Sequence, residues 1–233
     1  MAGDPILEFA EVDAEGTAQY AGGLRGVSLS LRPGELAAVR PAGPGRLPPL
    51  ADLALGLLPP ARGRVTFAGE DWTAMSPDRA VACRGRIGRV FAGAAWIGNL
   101  DVDENVILRE RHLTRRPEAE VRREAQGWAA RFGLAELPAT RPAWTPAPDL
   151  IRAQWVRALL GRPALLLLED AEHEAPAESL AAWRAALAEA VAGGAAALWI
   201  GAEPREWPPS LAGRIRRWAI RGAALQPLEE SQA

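Results

Sequence analysis

The residues from Ala38 to Leu50, Ala-Val-Arg-Pro-Ala-Gly-Pro-Gly-Arg-Leu-Pro-Pro-Leu, have the spacing of a phosphate-binding loop and few of its chemical groups. A loop of the G-x-x-x-x-G-K-[ST] type needs small residues for close backbone approach, free N–H groups around the phosphates, a Lys, and a hydroxyl for Mg²⁺. On that spacing Arg40 stands at the first Gly, Arg46 at the Lys and Leu47 at the hydroxyl. Pro41, Pro44 and Pro48 each lack an N–H, so any oxygen they face loses a donor. Gly43 and Gly45 survive, and Arg46 keeps a charge that can contact phosphate. The whole chain contains no Lys, so no standard loop of this type exists elsewhere in it. A second place for chemistry is the pair Glu169-Asp170, which closes a run of Leu residues. His112, His173 and Cys83 stand far apart in sequence, and the two histidines read as surface residues.

The elements that position these residues follow from periodicity. Ile6 to Val12 and Leu24 to Leu31 alternate apolar and polar residues as half-exposed strands do. The turn Arg32-Pro33-Gly34-Glu35 leads into a short buried strand, Leu36 to Val39, which feeds the loop. Leu50 to Leu58 is predicted as a helix stopped by Pro59-Pro60, giving strand, glycine loop and helix, the start of a parallel α/β unit. Strands are predicted at Gly63 to Ala68 and Ile87 to Phe91, with a polar, Arg-rich turn and helix between them. From Asn99 to Leu137 apolar residues recur at three- and four-residue steps, the pattern of a helical insertion. A Pro-rich segment, Arg141 to Asp149, opens a further helix. Ala164 to Leu168 is continuously apolar, which predicts a central parallel strand covered on both faces. A helix over Ser179 to Val191 and strands over Ala195 to Ile200 and near Ile215 to Ile220 complete the sheet.

Composition bounds the rest. A chain of 233 residues, 48% of them apolar, can bury the core of one compact domain. A net charge of -2 argues against a nucleic-acid partner recognised through bulk basic charge. One cysteine excludes a disulfide framework and a cysteine metal cluster, in keeping with a reducing compartment. No apolar run approaches the roughly 18 residues that span a bilayer, and Met-Ala-Gly-Asp-Pro lacks a signal pattern. The nine Trp residues read as amphipathic filler of core and edges.

In this order and spacing the chain resembles the ATP-binding cassette subunits of ABC transporters over nearly its full length. The resemblance rests on Leu24 to Glu35, Leu57 to Gly69, Asn99 to Val106, and Arg157 to Leu168, the last reading Arg-Ala-Leu-Leu-Gly-Arg-Pro-Ala-Leu-Leu-Leu-Leu. It implies an α/β fold of ABC-cassette type: a P-loop NTPase (RecA-like) core with an N-terminal antiparallel β subdomain and a helical subdomain. One cassette domain is expected over residues 1–228, with the helical subdomain at about 95–155, and a tail over 229–233. The chemical positions depart from the family. Its glutamine-loop position holds Ala92, and its Leu-Ser-Gly-Gly-Gln signature is replaced by Thr145-Pro146-Ala147-Pro148-Asp149. Its acidic pair is inverted, Glu169 standing at the Mg²⁺-shell position and Asp170 at the water-polarising one, and its switch-histidine position is Ala202. Tyr20 corresponds to the upstream aromatic that stacks on the base.

These losses touch the phosphate cradle, Mg²⁺, water activation, γ-phosphate sensing and the partner's signature. Phosphoryl transfer depends on positioning and charge, so together they should remove hydrolysis. The expectation is a degenerate cassette subunit of a transporter complex with no resident cofactor, ATP and Mg²⁺ entering only if residual binding persists. The resemblance implies as partners an integral membrane permease, contacted through Phe91, Trp96 and Asn99, and an active ATPase paralogue or a second copy of this chain. It places the chain in the cytoplasm, peripheral on the inner face of the cell membrane. The stretch Glu104 to Leu134 is similar to cassettes of MCE-type lipid transporters, which points to lipid cargo. Two alternatives stand beside this reading: a soluble regulatory or scaffold protein reusing the fold, and a weakly active ABC ATPase.

Overall fold

A computed structural model describes residues 4–16, 20, 22–43, 45, 47–93 and 95–228. Arg46 of the loop and the tail at 229–233 therefore lie outside the described residues. Two sheets divide the strands. An antiparallel sheet orders β1 (Leu7–Ala14), β2 (Leu24–Leu31), β4 (Arg62–Phe67) and β5 (Glu70–Asp71) as β2-β1-β4-β5. A second sheet joins β3 (Leu36–Arg40), β6 (Ile87–Val90), β7 (Leu165–Glu169), β8 (Ala196–Ile200), β9 (Ile215–Arg221) and β10 (Ala224–Pro227) in the order β10-β9-β3-β8-β7-β6. Every pairing in the second sheet is parallel except that of β9 with β10.

The period-two alternation of these strands sorts the core into two layers. On one face of the larger sheet, Ala37, Val39, Ile87, Leu165, Leu167 and Leu198 pack with α1 (Leu50–Ala54) and the antiparallel sheet. On the other, Val90, Leu166, Leu168 and Trp199 pack with α3 (Val102–Leu113), α4 (Glu118–Arg131), α5 (Ala147–Leu159) and α6 (Ala177–Ala192). The run over Ala164 to Leu168 is, as its composition predicts, a strand between two others, with all four Leu residues fully buried. Three fully buried Trp residues fill the helical side: Trp155 stacks on Trp183 at 5.0 Å between ring centroids, and Trp199 meets the half-buried Trp207 edge-on. Trp144 is the exception to the filler reading, being 79% exposed.

Besides the unexpected two-residue β5, two elements differ from the sequence expectation. The first helix covers only Leu50–Ala54 rather than running to Leu58. Gly56 turns the chain at φ +59°, where a Cβ would collide with the Trp72 ring, so close packing against Trp72, the residue after β5, ends the helix before the prolines do. The strand β10 was not legible because Ala-Leu-Gln-Pro has no alternation of its own; it exists as the return arm of a hairpin with β9.

One close approach sets the position of β6, between β7 and the helices. Gly88 faces α5 so tightly that a Cβ would stand 1.9 Å from the carbonyl oxygen of Ala158. Backbone cannot yield there as the tip of a side chain can. Gly88→Ala is expected to lower stability by about 2 kcal/mol or more, read from the urea midpoint; an unchanged midpoint would show that β6 is not held by this contact.

Candidate functional site

The loop between β3 and α1 does not form the usual anion cradle in the described residues. Gly45 takes φ +108°, and a Cβ on Gly43 or Gly45 would meet nothing within 4 Å. The helix after it begins at Leu50, behind Pro48 and Pro49, and is a single turn with no side-chain cap. What organises the site is a charge from the edge strand β6. Ile87 and Arg89 project from the same face of β6, and Arg89 reaches α1 and the end of β7 together. Its Nη1 donates to Asp52 Oδ1 at 2.5 Å and its Nε to Glu169 Oε2 at 2.7 Å. The three side chains are only 9 to 15% exposed. The Tyr20 hydroxyl donates to the other oxygen of Asp52, and the guanidinium lies over the Phe91 ring, 4.4 Å from its centroid.

This arrangement neutralises two carboxylates with one fixed cation. Burial pushes the Glu169 carboxyl above its usual range while Arg89 pulls against it and Asp52 adds to the push. Burial also opposes the charge on Arg89, but the two carboxylates hold its pKa above the ordinary value. Asp170 sits in a left-handed conformation at φ +42°. Gly201, at φ +134°, leaves room for its carboxylate, since a Cβ there would stand 2.1 Å from Asp170 Oδ1. Burial raises the Asp170 carboxyl, opposed by His173 and by the N–H of Ala202.

The positions singled out in the sequence thus fall into three groups. Glu169, Asp170 and Ala202 lie together at the ends of β7 and β8, and Tyr20 joins them through Asp52 and Arg89. Ala92, Phe91, Trp96, Ala147 and Asp170 line one cleft of about 210 Å³ in front of α5. Thr145 is buried and bonds the Thr140 hydroxyl at 2.9 Å, Pro146 caps α5, and Pro148 and Asp149 form its first turn. Asp149 is already paired with Arg152 at 2.9 Å. Asn99 is exposed and lines neither this cleft nor the groove beside it. Reasoning from motifs missed Asp52 and Arg89. Their signal was a lone carboxylate in Leu-Ala-Asp-Leu-Ala and a charge inside the apolar strand Ile-Gly-Arg-Val, opposite charges on the helix after the loop and on the edge strand β6.

The whole arrangement matches solved structures over 96% of the chain. With the ATP-binding cassette MJ0796 in a dimeric post-hydrolysis state bound to ADP and Pi, the TM-score is 0.79 at 17% identity, covering 99% of that chain. In sequence the chain is 35% identical over 147 residues to the spermidine/putrescine import ATP-binding protein PotA of Frankia alni, 62% of this chain and 30% of that one. It is 33% identical over 151 residues to the lipoprotein-releasing system ATP-binding protein LolD of Novosphingobium aromaticivorans, 63% of this chain and 66% of that one. It has the fold of an ABC cassette and is related to the ATP-binding subunits of ABC transporters. No protein-family model matches the chain. The cassette spans 30% of the PotA length and 46% of that of a methionine import ATP-binding protein, MetN, of Thermobifida fusca. Among its described residues no helix is long and apolar enough to cross a membrane.

Two outcomes test the site of this cassette. Removing Arg89 strands two carboxylates in a mostly buried place, whereas removing all three charges leaves an apolar contact. Arg89→Met is therefore expected to cost about 3–5 kcal/mol in urea unfolding, and the triple variant R89M/D52L/E169L to recover most of it. Tyr20, the only tyrosine, is pushed up to about 12, chiefly by burial and then by its bond to Asp52. The folded state favours the neutral phenol, so its stabilisation is complete below a pH of about 10 and is lost as pH rises toward 12. Tyrosinate absorbance should titrate near 12 in the wild type and at a lower pH in Asp52→Ala, which removes the bond but not the burial; identical curves for the two would break the link between Tyr20 and α1.

Proposed function

We propose that this chain is a catalytically silent cassette subunit of an ABC transporter complex, working structurally with a membrane permease and an active ATPase paralogue. The observation that carries the reading is the commitment of Glu169 to Arg89. In the family pattern the carboxylate at that position serves Mg²⁺. Here a guanidinium already satisfies it, at a site where Leu47 supplies no hydroxyl and Ala202 no imidazole. The residues present do not fit Mg²⁺, because a divalent cation bound by Glu169 would have to sit beside the buried guanidinium that already holds both Glu169 and Asp52. An ATPase fold without its metal, its nucleophile-orienting groups and its loop Lys has too little transition-state stabilisation to turn over.

The pairing argument makes the partner asymmetric. In the family each nucleotide lies between one subunit's loop and the other's signature. Two copies of this chain would leave both sites without both halves. An intact paralogue would instead supply a complete loop, acidic pair and histidine to one of the two sites, lacking only the signature that Thr145 to Asp149 replaces. The groove around Phe91 and His112 then seats the permease, with the subunit peripheral on the inner face of the cell membrane. The helical stretch Glu104 to Leu134 supports lipid as the cargo class.

Calorimetry with Mg-ATP and a phosphate-release assay on the purified chain test the reading directly. The expected result is no release above background and no binding at micromolar concentrations. Turnover that disappears in Glu169→Gln or Asp170→Asn would overturn it.

A further inference from the structure

The cleft of about 210 Å³ in front of α5 has a lining unlike that of the groove on the other side of Phe91. One stripe of α5, Ala147, Leu150, Ile151 and Gln154, forms its wall at the three- and four-residue steps of a single helix face. Val90 and Ala171, both buried, close its floor, and Ala92 brings only a methyl group. Asp170 lines it beside His173 and Glu174, which stand exposed at its mouth.

Two groups in this cleft have bonding capacity left over. Gln154 is 8% exposed. Its Oε1 accepts the N–H of Phe91 at 3.3 Å, which fixes the orientation of the amide, and its Nε2 meets no acceptor among the described residues. A buried amide donor without a partner is costly and is kept where something else satisfies it. Asp170 is the second group. It accepts the N–H of Ala202 and has no ion pair among the described residues. Its backbone is held at φ +42°, a conformation that costs energy at a non-glycine residue. Burial raises its carboxyl above the usual range, so its charge is short of compensation. Glu174 meets only the ring of His173, at 4.0 Å.

The chain carries 27 basic residues, all of them arginine, and among the described residues none lines this cleft. Arg89 and Arg157 are kept on the far side of Phe91. Arg89 is spent on Asp52 and Glu169. Arg157 lies 4.4 Å from the Trp96 ring and donates once, to the carbonyl of Ala95 at 2.8 Å, while its Nε and Nη2 have no acceptor. Neither is paired with Asp170. One end of the cleft therefore asks for a cation from outside and the other for an acceptor. A carboxylate is the wrong acceptor, because two acids and no arginine face it. A neutral carbonyl suits the amide of Gln154. An apolar cavity of about 150 Å³ holds benzene, so this one suits a short branched aliphatic body with a polar group at each end.

We propose that this cleft binds a small organic cation of the amino-carbonyl class. Its primary ammonium pairs with Asp170, its aliphatic body lies on the α5 stripe, and its neutral carbonyl accepts from Gln154 Nε2. Bound there, it ties α5 to the ends of β6 and β7. The site needs neither nucleotide nor a partner subunit, so it stands or falls apart from the function proposed above.

The test titrates the full chain, without nucleotide, with leucinamide and with three probes that each change one feature. 3-Methylbutylamine has no carbonyl, 4-methylpentanamide has no ammonium, and leucine carries a carboxylate in place of the amide. By calorimetry leucinamide is expected to bind with a Kd of about 1 mM or tighter, and each of the others at least about tenfold more weakly. Asp170→Asn should bring leucinamide down to the level of 4-methylpentanamide. Gln154→Glu, which keeps the acceptor for Phe91 and removes the donor, should erase the preference for leucinamide over 3-methylbutylamine. Melting curves show that both variants fold. Ala92→Trp, at an exposed position, fills the cleft without touching either group and should abolish binding of every probe. No binding of leucinamide at about 10 mM overturns the site, as does equal binding of leucine or an affinity unchanged in Asp170→Asn and Ala92→Trp. Any of these results leaves the silent cassette standing, since that reading is tested by phosphate release alone.

Discussion

Two carboxylates facing each other in a mostly buried place need a cation, and Arg89 is that cation. Its bonds to Asp52 and Glu169 join the helix after the loop to the central strand, and Tyr20 is tied in through Asp52. A metal ion at such a place exchanges with solvent and carries a ligand with it. A guanidinium tethered to β6 does neither. Its concentration is fixed, it brings no phosphate, and it cannot report whether a nucleotide is present. On the function proposed above, the same electrostatic problem is solved in a way that keeps the architecture and removes the switch. Gly88 is part of that solution, because only a side-chain-free residue lets β6 lie against α5 closely enough to hold the next residue in place.

Much of the fold was legible in the sequence because burial patterns are local. The alternation in Leu24 to Leu31 gave a strand with those bounds, and the unbroken apolar run before Glu169 gave a strand covered on both faces. The helical stretch after Asn99 split into two helices where Pro117 follows Arg115 and Arg116, a boundary its periodicity alone did not mark. The site was less legible. Motif reasoning locates what a position lacks, and so it found Ala92, Ala202 and the prolines. It did not find Arg89, because a replacement cation has no motif. Asp52 and Arg89 are 37 residues apart, and their pairing appears only when parallel strand order brings β6 beside β7. For the same reason Arg157 read as part of a family-like helix, while its missing partners are visible only in three dimensions.

The two halves of this surface share one wall. Phe91 has Arg89 over its ring at 4.4 Å and Arg157 at 5.1 Å. One guanidinium is anchored by two carboxylates and the other by none, so a force applied from the groove meets a fixed post on the loop side. In a cassette with an exchangeable metal, such a wall could pass occupancy of one side to the other, since the post would come and go. With Arg89 bound covalently to its own strand, the wall has a single state, and a ligand with equal affinity for every accessible state shifts nothing. On the function proposed above, a partner's grip on this surface would not depend on nucleotide at this site, which is the property a constant structural subunit needs.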